Sequence, residues 1–244
     1  MNRSRGSEPA GRGAEWFVPG FGPSGFRSIV GLLFLPYTGM VLSFVAAGSA
    51  LARPIYWDRL LAIEVVYLSA LGVGAHALDA LGRRGAKPWG TLFTRRQLWI
   101  LAFASLAFAY GIAVYYMVRY VPFLWSMALA EGFFVFAYNL EWFHGRFHSD
   151  GWFAFSWGFL PVVAGYMMQS NTVSVAALIV AAAAAFFGLV EIKASRPYKV
   201  LKQRGGGLTD DERLLVGRFE AILKAISLGS ILLGGGLLIG RILG

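Results

Sequence analysis

SIVGLLFLPYTGMVLSFVAAGSALA, residues 28–52, runs for 25 positions without a charged side chain. A helix needs roughly 20 largely apolar residues to cross the hydrocarbon core of a bilayer, so this stretch reads as a membrane span. It is too long for the apolar region of a cleavable signal, and it is expected to be retained. The pattern recurs along the chain. Charge-free windows lie at 97–118 and across 151–190, the second long enough for two helices, while 60–80 and 120–140 are interrupted only by Glu64, the His76/Asp79 pair and Glu131. The window 225–240 is shorter and leans on Lys224 and Arg241, whose long side chains can reach the interface. With 57% hydrophobic and 14% charged residues and a mean hydropathy of +0.59, the whole chain has the composition of an integral membrane protein.

Arg53-Pro54, the Gly/Lys/Pro stretch 85–90, Pro122, Gly145 and the polar run 169–172 divide the apolar sequence into helices near 28–51, 58–80, 97–118, 121–141, 150–169, 172–193 and 211–243. The expected fold is all-α, a polytopic membrane helix bundle of about seven transmembrane helices forming one domain over 28–244. Residues 1–27 are rich in Gly, Pro, Ser and Arg without periodicity and read as a flexible cytoplasmic arm ending in an aromatic anchor at Trp16 and Phe17. Thr209-Asp210-Asp211-Glu212 has the spacing of a capping box that opens the last helix, whose first apolar turns read as a surface flap.

Charge sets the expected orientation. On this layout 18 of the 22 lysines and arginines fall on one side, which predicts a cytoplasmic N-terminus and an affinity for anionic membrane lipids. The basic residues sit in short loops and not along an aromatic-lined soluble face, so nucleic acid is not an expected partner. The absence of cysteine excludes disulfides and thiolate chemistry. Gly236 and Gly240, at GxxxG spacing, mark a close helix contact or a homo-oligomer.

The polar residues collect at one surface. Helix 2 closes with His76 and Asp79, helix 4 with Asn139 and Glu141, and helix 6 with Glu191, Lys193, Ser195 and Arg196, all at the predicted cytoplasmic ends. Ionisable groups at the edge of a bundle are costly and mark a functional cavity, although helix ends also carry polar groups for topology alone. His76 and Asp79 are three apart and share a helix face, and Arg83, Arg84 and Lys87 follow within two turns. Such a pattern suits a metal held by the acid and a diphosphate held by the cations.

Ala75-His76-Ala77-Leu78-Asp79, followed by Arg83-Arg84 and Lys87-Pro88-Trp89-Gly90, resembles the end of helix 2 in the UbiA family of intramembrane prenyltransferases. There an N-D-x-x-D motif precedes a basic, proline-containing loop, and here only its last aspartate is kept. YNLEWFHGRFHSDGWFAFSWGFLPVVAGY (138–166) is similar to the family's helix 4–5 segment through Tyr138, Arg146 and the Gly158…Pro161…Gly165 pattern, and GLVEIKASRPYK (188–199) stands where a second acidic motif lies. The resemblance implies a UbiA-like bundle that transfers an isoprenoid from a prenyl diphosphate to a lipophilic acceptor, assisted by Mg²⁺. It implies Asp79 and Glu191 as metal ligands, with His76, Asp79 and Glu191 as catalytic residues. Arg83, Lys87, Tyr138, Arg146, Lys193 and Arg196 would contact the diphosphate.

Fewer carboxylates than the family pattern leave open a slower enzyme, another anionic substrate or a protein that binds without turnover. His76 is either a base toward the acceptor or a helix-end residue bonded to a neighbour. Glu64 and Glu131, deeper in helices 2 and 4, point either to an ion path or to a hydrogen-bonded pair that ties the helices together.

Overall fold

The computed structural model describes residues 15–82, 93–204 and 207–244. All regular structure among them is helical, which is how a chain this apolar satisfies its backbone N–H and C=O groups in lipid. The helical segments are α1 (Ser24–Leu51), α2 (Trp57–Gly82), α3 (Arg95–Arg119), α4 (Leu124–Asn139), α5 (150–170), α6 (Val175–Gln203) and α7 (Asp210–Leu243). Five of them, α1, α2, α3, α6 and α7, are long and apolar enough to cross a membrane. Helix α4 has 16 residues, and α5 is interrupted by polar and aromatic side chains.

Most boundaries fall within a few residues of those expected, and the exceptions have local causes. Helix α1 starts at Ser24, inside the segment read as arm, and breaks at Phe34, where φ is 44°. Pro36 cannot donate a backbone N–H and its ring crowds the preceding turn, so the chain restarts with proline in the first turn of a new segment. The Thr38 hydroxyl bonds the Leu33 carbonyl across the break at 2.6 Å. Helix α6 does not end near residue 193. It runs through Pro197 to Gln203, at the cost of one backbone hydrogen bond. The last helix opens at Thr209 with the reciprocal capping box read from the sequence: Glu212 N–H to Thr209 Oγ1 at 3.2 Å and Thr209 N–H to Glu212 Oε2 at 2.9 Å. It continues without interruption to Leu243.

Two wide π-type stretches, Leu68–Ala75 in α2 and Phe155–Phe159 in α5, replace ordinary α geometry. Each rotates the residues that follow relative to those before, and such turns recur at functional sites.

Helix α1 is the hub. Its apolar window is 67% buried, against 22% for α3 and α7, which places those two at the perimeter. The closest approach is to the second half of α5. A Cβ at Gly48 would overlap the Val162 carbonyl, and one at Gly165 would overlap the Val45 carbonyl. Each backbone therefore fits only against a missing side chain on the other. Ser49 Oγ donates to the Gly165 carbonyl at 3.1 Å in the same contact. Gly48→Ala and Gly165→Ala should each cost about 1–3 kcal/mol or more by forcing the helices apart. Gly111→Ala and Gly229→Ala, where open space surrounds the added carbon, should be neutral or slightly stabilising. Thermal unfolding in detergent checks the contrast.

Candidate functional site

The ends of α2, α4 and α6 and the start of α5 converge on a buried polar cluster centred on Tyr138. Tyr138 is 6% exposed at the end of α4. It lies within electrostatic range of Arg196, Asp79 and Glu191. The structure therefore brings together four side chains singled out in the sequence, contributed by three helices. Glu191 is 4% exposed and has Lys199 as its counter-charge. Ser195, one turn further along α6 on the same face, is fully buried, and its hydroxyl has no hydrogen-bond partner. An orphaned buried hydroxyl costs about 1–3 kcal/mol, so it is a natural contact for a ligand atom at this position.

His76 forms the apolar side of the cluster. It is held between Phe34, with ring centroids 4.8 Å apart, and Trp157, at 5.8 Å, both near-parallel. Its Nδ1 bonds the Gly72 carbonyl at 3.0 Å. A carbonyl can only accept, so Nδ1 carries the proton and Nε2 is the basic nitrogen of the neutral ring. The break at Phe34 and the two π-type stretches position these rings. Phe34 stands beside the break, His76 follows the stretch in α2, and Trp157 lies inside the stretch in α5. Lys199 Nζ lies 5.2 Å from the Phe34 ring centre and joins the aromatic and charged halves.

The segment 15–19 covers the cluster. Trp16 Nε1 donates to the Tyr37 hydroxyl at 3.4 Å, and Phe17 packs on Phe34 and Tyr37 with centroids 5.4 and 5.8 Å away. Arg27 Nε holds the Pro19 carbonyl at 2.8 Å. Trp16 and Phe17, read as a membrane anchor, instead pack against the core. On the far side, the Tyr198 hydroxyl donates to Glu220 at 3.2 Å and Lys224 stands over the Trp16 ring at 5.5 Å, so α7 closes the wall.

The other sequence candidates are placed differently. Lys193 and Arg196 both pair with Asp150, at 2.9 and 2.7 Å. Arg146 is exposed in the connection after α4, as is Glu141. Asn139 is buried and bonds the Val135 carbonyl of its own helix at 2.8 Å. Arg83 and Lys87 lie outside the described residues. Asp150, Lys199, Tyr37, Phe34 and Trp157 were not expected. The Ser149-Asp150 helix start was a usable signal for the first, whereas Lys199 was hidden because the helix was expected to end near residue 193.

Among the described residues no three His, Cys, Asp or Glu side chains converge as a metal-ligand group. Asp79 and Glu191 remain as two carboxylates near one hydroxyl. That number suits Mg²⁺ bound mainly through substrate phosphates, and the orphaned Ser195 oxygen fits the same chemistry.

Deeper in the bundle, Tyr67 donates to Glu131 Oε1 at 2.7 Å. The pair borders an apolar cavity of about 60 Å³ shared by α2, α3, α4 and α5. One oxygen of Glu64 is buried without a hydrogen-bond partner.

No protein-family model matches the chain, and no curated protein or solved structure matches it significantly.

Phe34→Ala should remove the contact shared by His76, Lys199, Phe17 and Tyr37, costing about 3–5 kcal/mol. A fall in the midpoint of thermal unfolding, with faster proteolysis near residue 17, is the expected result.

Proposed function

We propose that the chain is a UbiA-like intramembrane protein whose helix-end cluster binds a prenyl diphosphate and transfers its isoprenoid to a lipophilic acceptor. The observation that carries this reading is that Asp79, Glu191 and Arg196 all lie within electrostatic range of the buried Tyr138, with an orphaned serine hydroxyl on the same helix face as Glu191. A buried acid and hydroxyls with an accessible guanidinium, beside stacked aromatic rings, suit a ligand that is polyanionic at one end and apolar at the other. In the same reading α4 and α5 also lie within the membrane, giving seven spans. The site and the N-terminus face the cytoplasm, because most of the lysines and arginines fall on that side.

Arg196, Lys199 and Lys193 would bind the diphosphate oxygens, and Tyr138 would orient the phosphate nearest the isoprenoid. Asp79 and Glu191 would hold Mg²⁺, which when bound neutralises charge on the departing diphosphate. As the C1–O bond breaks, its electron pair leaves with the diphosphate. The acceptor forms the new bond to C1 and gives up a proton, for which His76 Nε2 is the available base. The stacked rings of Phe34 and Trp157 would shield this side of the site from water.

A second reading, ion passage through the bundle, has its own support in the Tyr67–Glu131 bond, the buried Glu64 oxygen and the cavity that Tyr67 and Glu131 border. The two readings depend on different residues. Geranylgeranyl diphosphate with Mg²⁺ should stabilise the wild-type protein by about 2.7 kcal/mol at a hundredfold excess over Kd, read as a rise in the unfolding midpoint. Asp79→Asn and Glu191→Gln should abolish the shift, while Glu131→Gln should retain it. No shift with any chain length would remove the diphosphate reading. Proton flux in liposomes lost in Glu131→Gln would then favour the second.

A further inference from the structure

Asp150 places one carboxylate against two cations. Its Oδ2 lies 2.9 Å from Lys193 Nζ and its Oδ1 lies 2.7 Å from Arg196 Nη1, so each oxygen serves a different partner. The carboxylate is not needed to start its own helix. Ser149 caps α5 by accepting from the Trp152 N–H at 3.3 Å. Its position is fixed by packing one turn further on, where α5 rides on α6. A Cβ at Gly188 would meet the Ala154 Cα at 3.6 Å, which sets the first turn of α5 against the Lys193 and Arg196 end of α6. Arg196, paired with Asp150, also lies within electrostatic range of Tyr138, as do Asp79 and Glu191.

We propose that Asp150 is an internal competitor for the anion site, holding Lys193 and Arg196 through its carboxylate and setting diphosphate affinity by having to yield them. This rests on the cluster being a diphosphate site. The exchange is energetically reasonable because the Lys193 and Arg196 side chains are 66% and 43% exposed. Water and salt screen such pairs, and they contribute little. A diphosphate carries more charge and more oxygens than one carboxylate and can engage the guanidinium fork and the ammonium together. Asp150 would keep the cations ordered while lowering the affinity for weaker anions such as inorganic phosphate or carboxylates, and so act as a specificity residue.

The opposite role, in which Asp150 pre-positions the cations for substrate, predicts the opposite sign. Binding of inorganic pyrophosphate to the purified full-length protein in detergent, followed by calorimetry at low and high salt, separates them. Asp150→Asn, which keeps one acceptor oxygen, and Asp150→Ser should each bind pyrophosphate about 3- to 10-fold more tightly than wild type at low salt, with the gain shrinking as salt rises. Arg196→Gln combined with Asp150→Asn should lose most of that gain. If wild type binds and both Asp150 variants bind equally or more weakly, the competitor role is overturned while the diphosphate site stands. If neither wild type nor any variant binds, the diphosphate site fails and the role of Asp150 fails with it.

Discussion

Glu191 is a carboxylate almost wholly withdrawn from solvent in a bundle of apolar helices, and a buried charge of this kind costs several kcal/mol unless counter-charge and donors surround it. Its counter-charge is Lys199, two turns along the same helix. That relation exists only because α6 continues through Pro197 to Gln203. Were the helix to stop at the proline, Lys199 would be one more loop cation and Tyr198 would not reach Glu220. The continuity of one helix through a residue that disfavours it thus underlies the charged half of the cluster.

The apolar half depends on departures of the reverse kind. Three places abandon regular α geometry, the left-handed residue Phe34 and the π-type stretches in α2 and α5, and each bears on one ring of the Phe34–His76–Trp157 stack. A non-glycine residue with positive φ is strained, and such strain persists where surrounding contacts over-determine it. Phe34 has those contacts in Phe17, Tyr37, His76 and Lys199.

Apolar runs and breakers are properties of short windows, so the helix order, the final capping box and the gathering of His76, Asp79, Tyr138, Glu191 and Arg196 at one end were legible in the sequence. What was not legible depends on distance along the chain. The pairing of Asp150 with Lys193 and Arg196 joins residues more than 40 positions apart, and no local pattern in either segment announces it. Trp16 and Phe17 were misread for a similar reason. An aromatic pair beside a span looks the same whether its partner is lipid or the protein's own Phe34 and Tyr37. The end of α6 was placed too early, near residue 193, because the apolar run stops at Glu191 while the helix itself continues through Pro197 to Gln203.

The cover over the cluster joins distant parts of the chain in a way that bears on how the protein is made. Trp16 rests on Tyr37 near the start of the sequence, on Tyr198 late in it, and under Lys224 in the last helix. During synthesis the first of these partners emerges early, but Lys224 leaves the ribosome only after α6 is complete. The contacts of this cover are complete only once α7 is in place, and a chain truncated before α7 would lack one wall of the cluster.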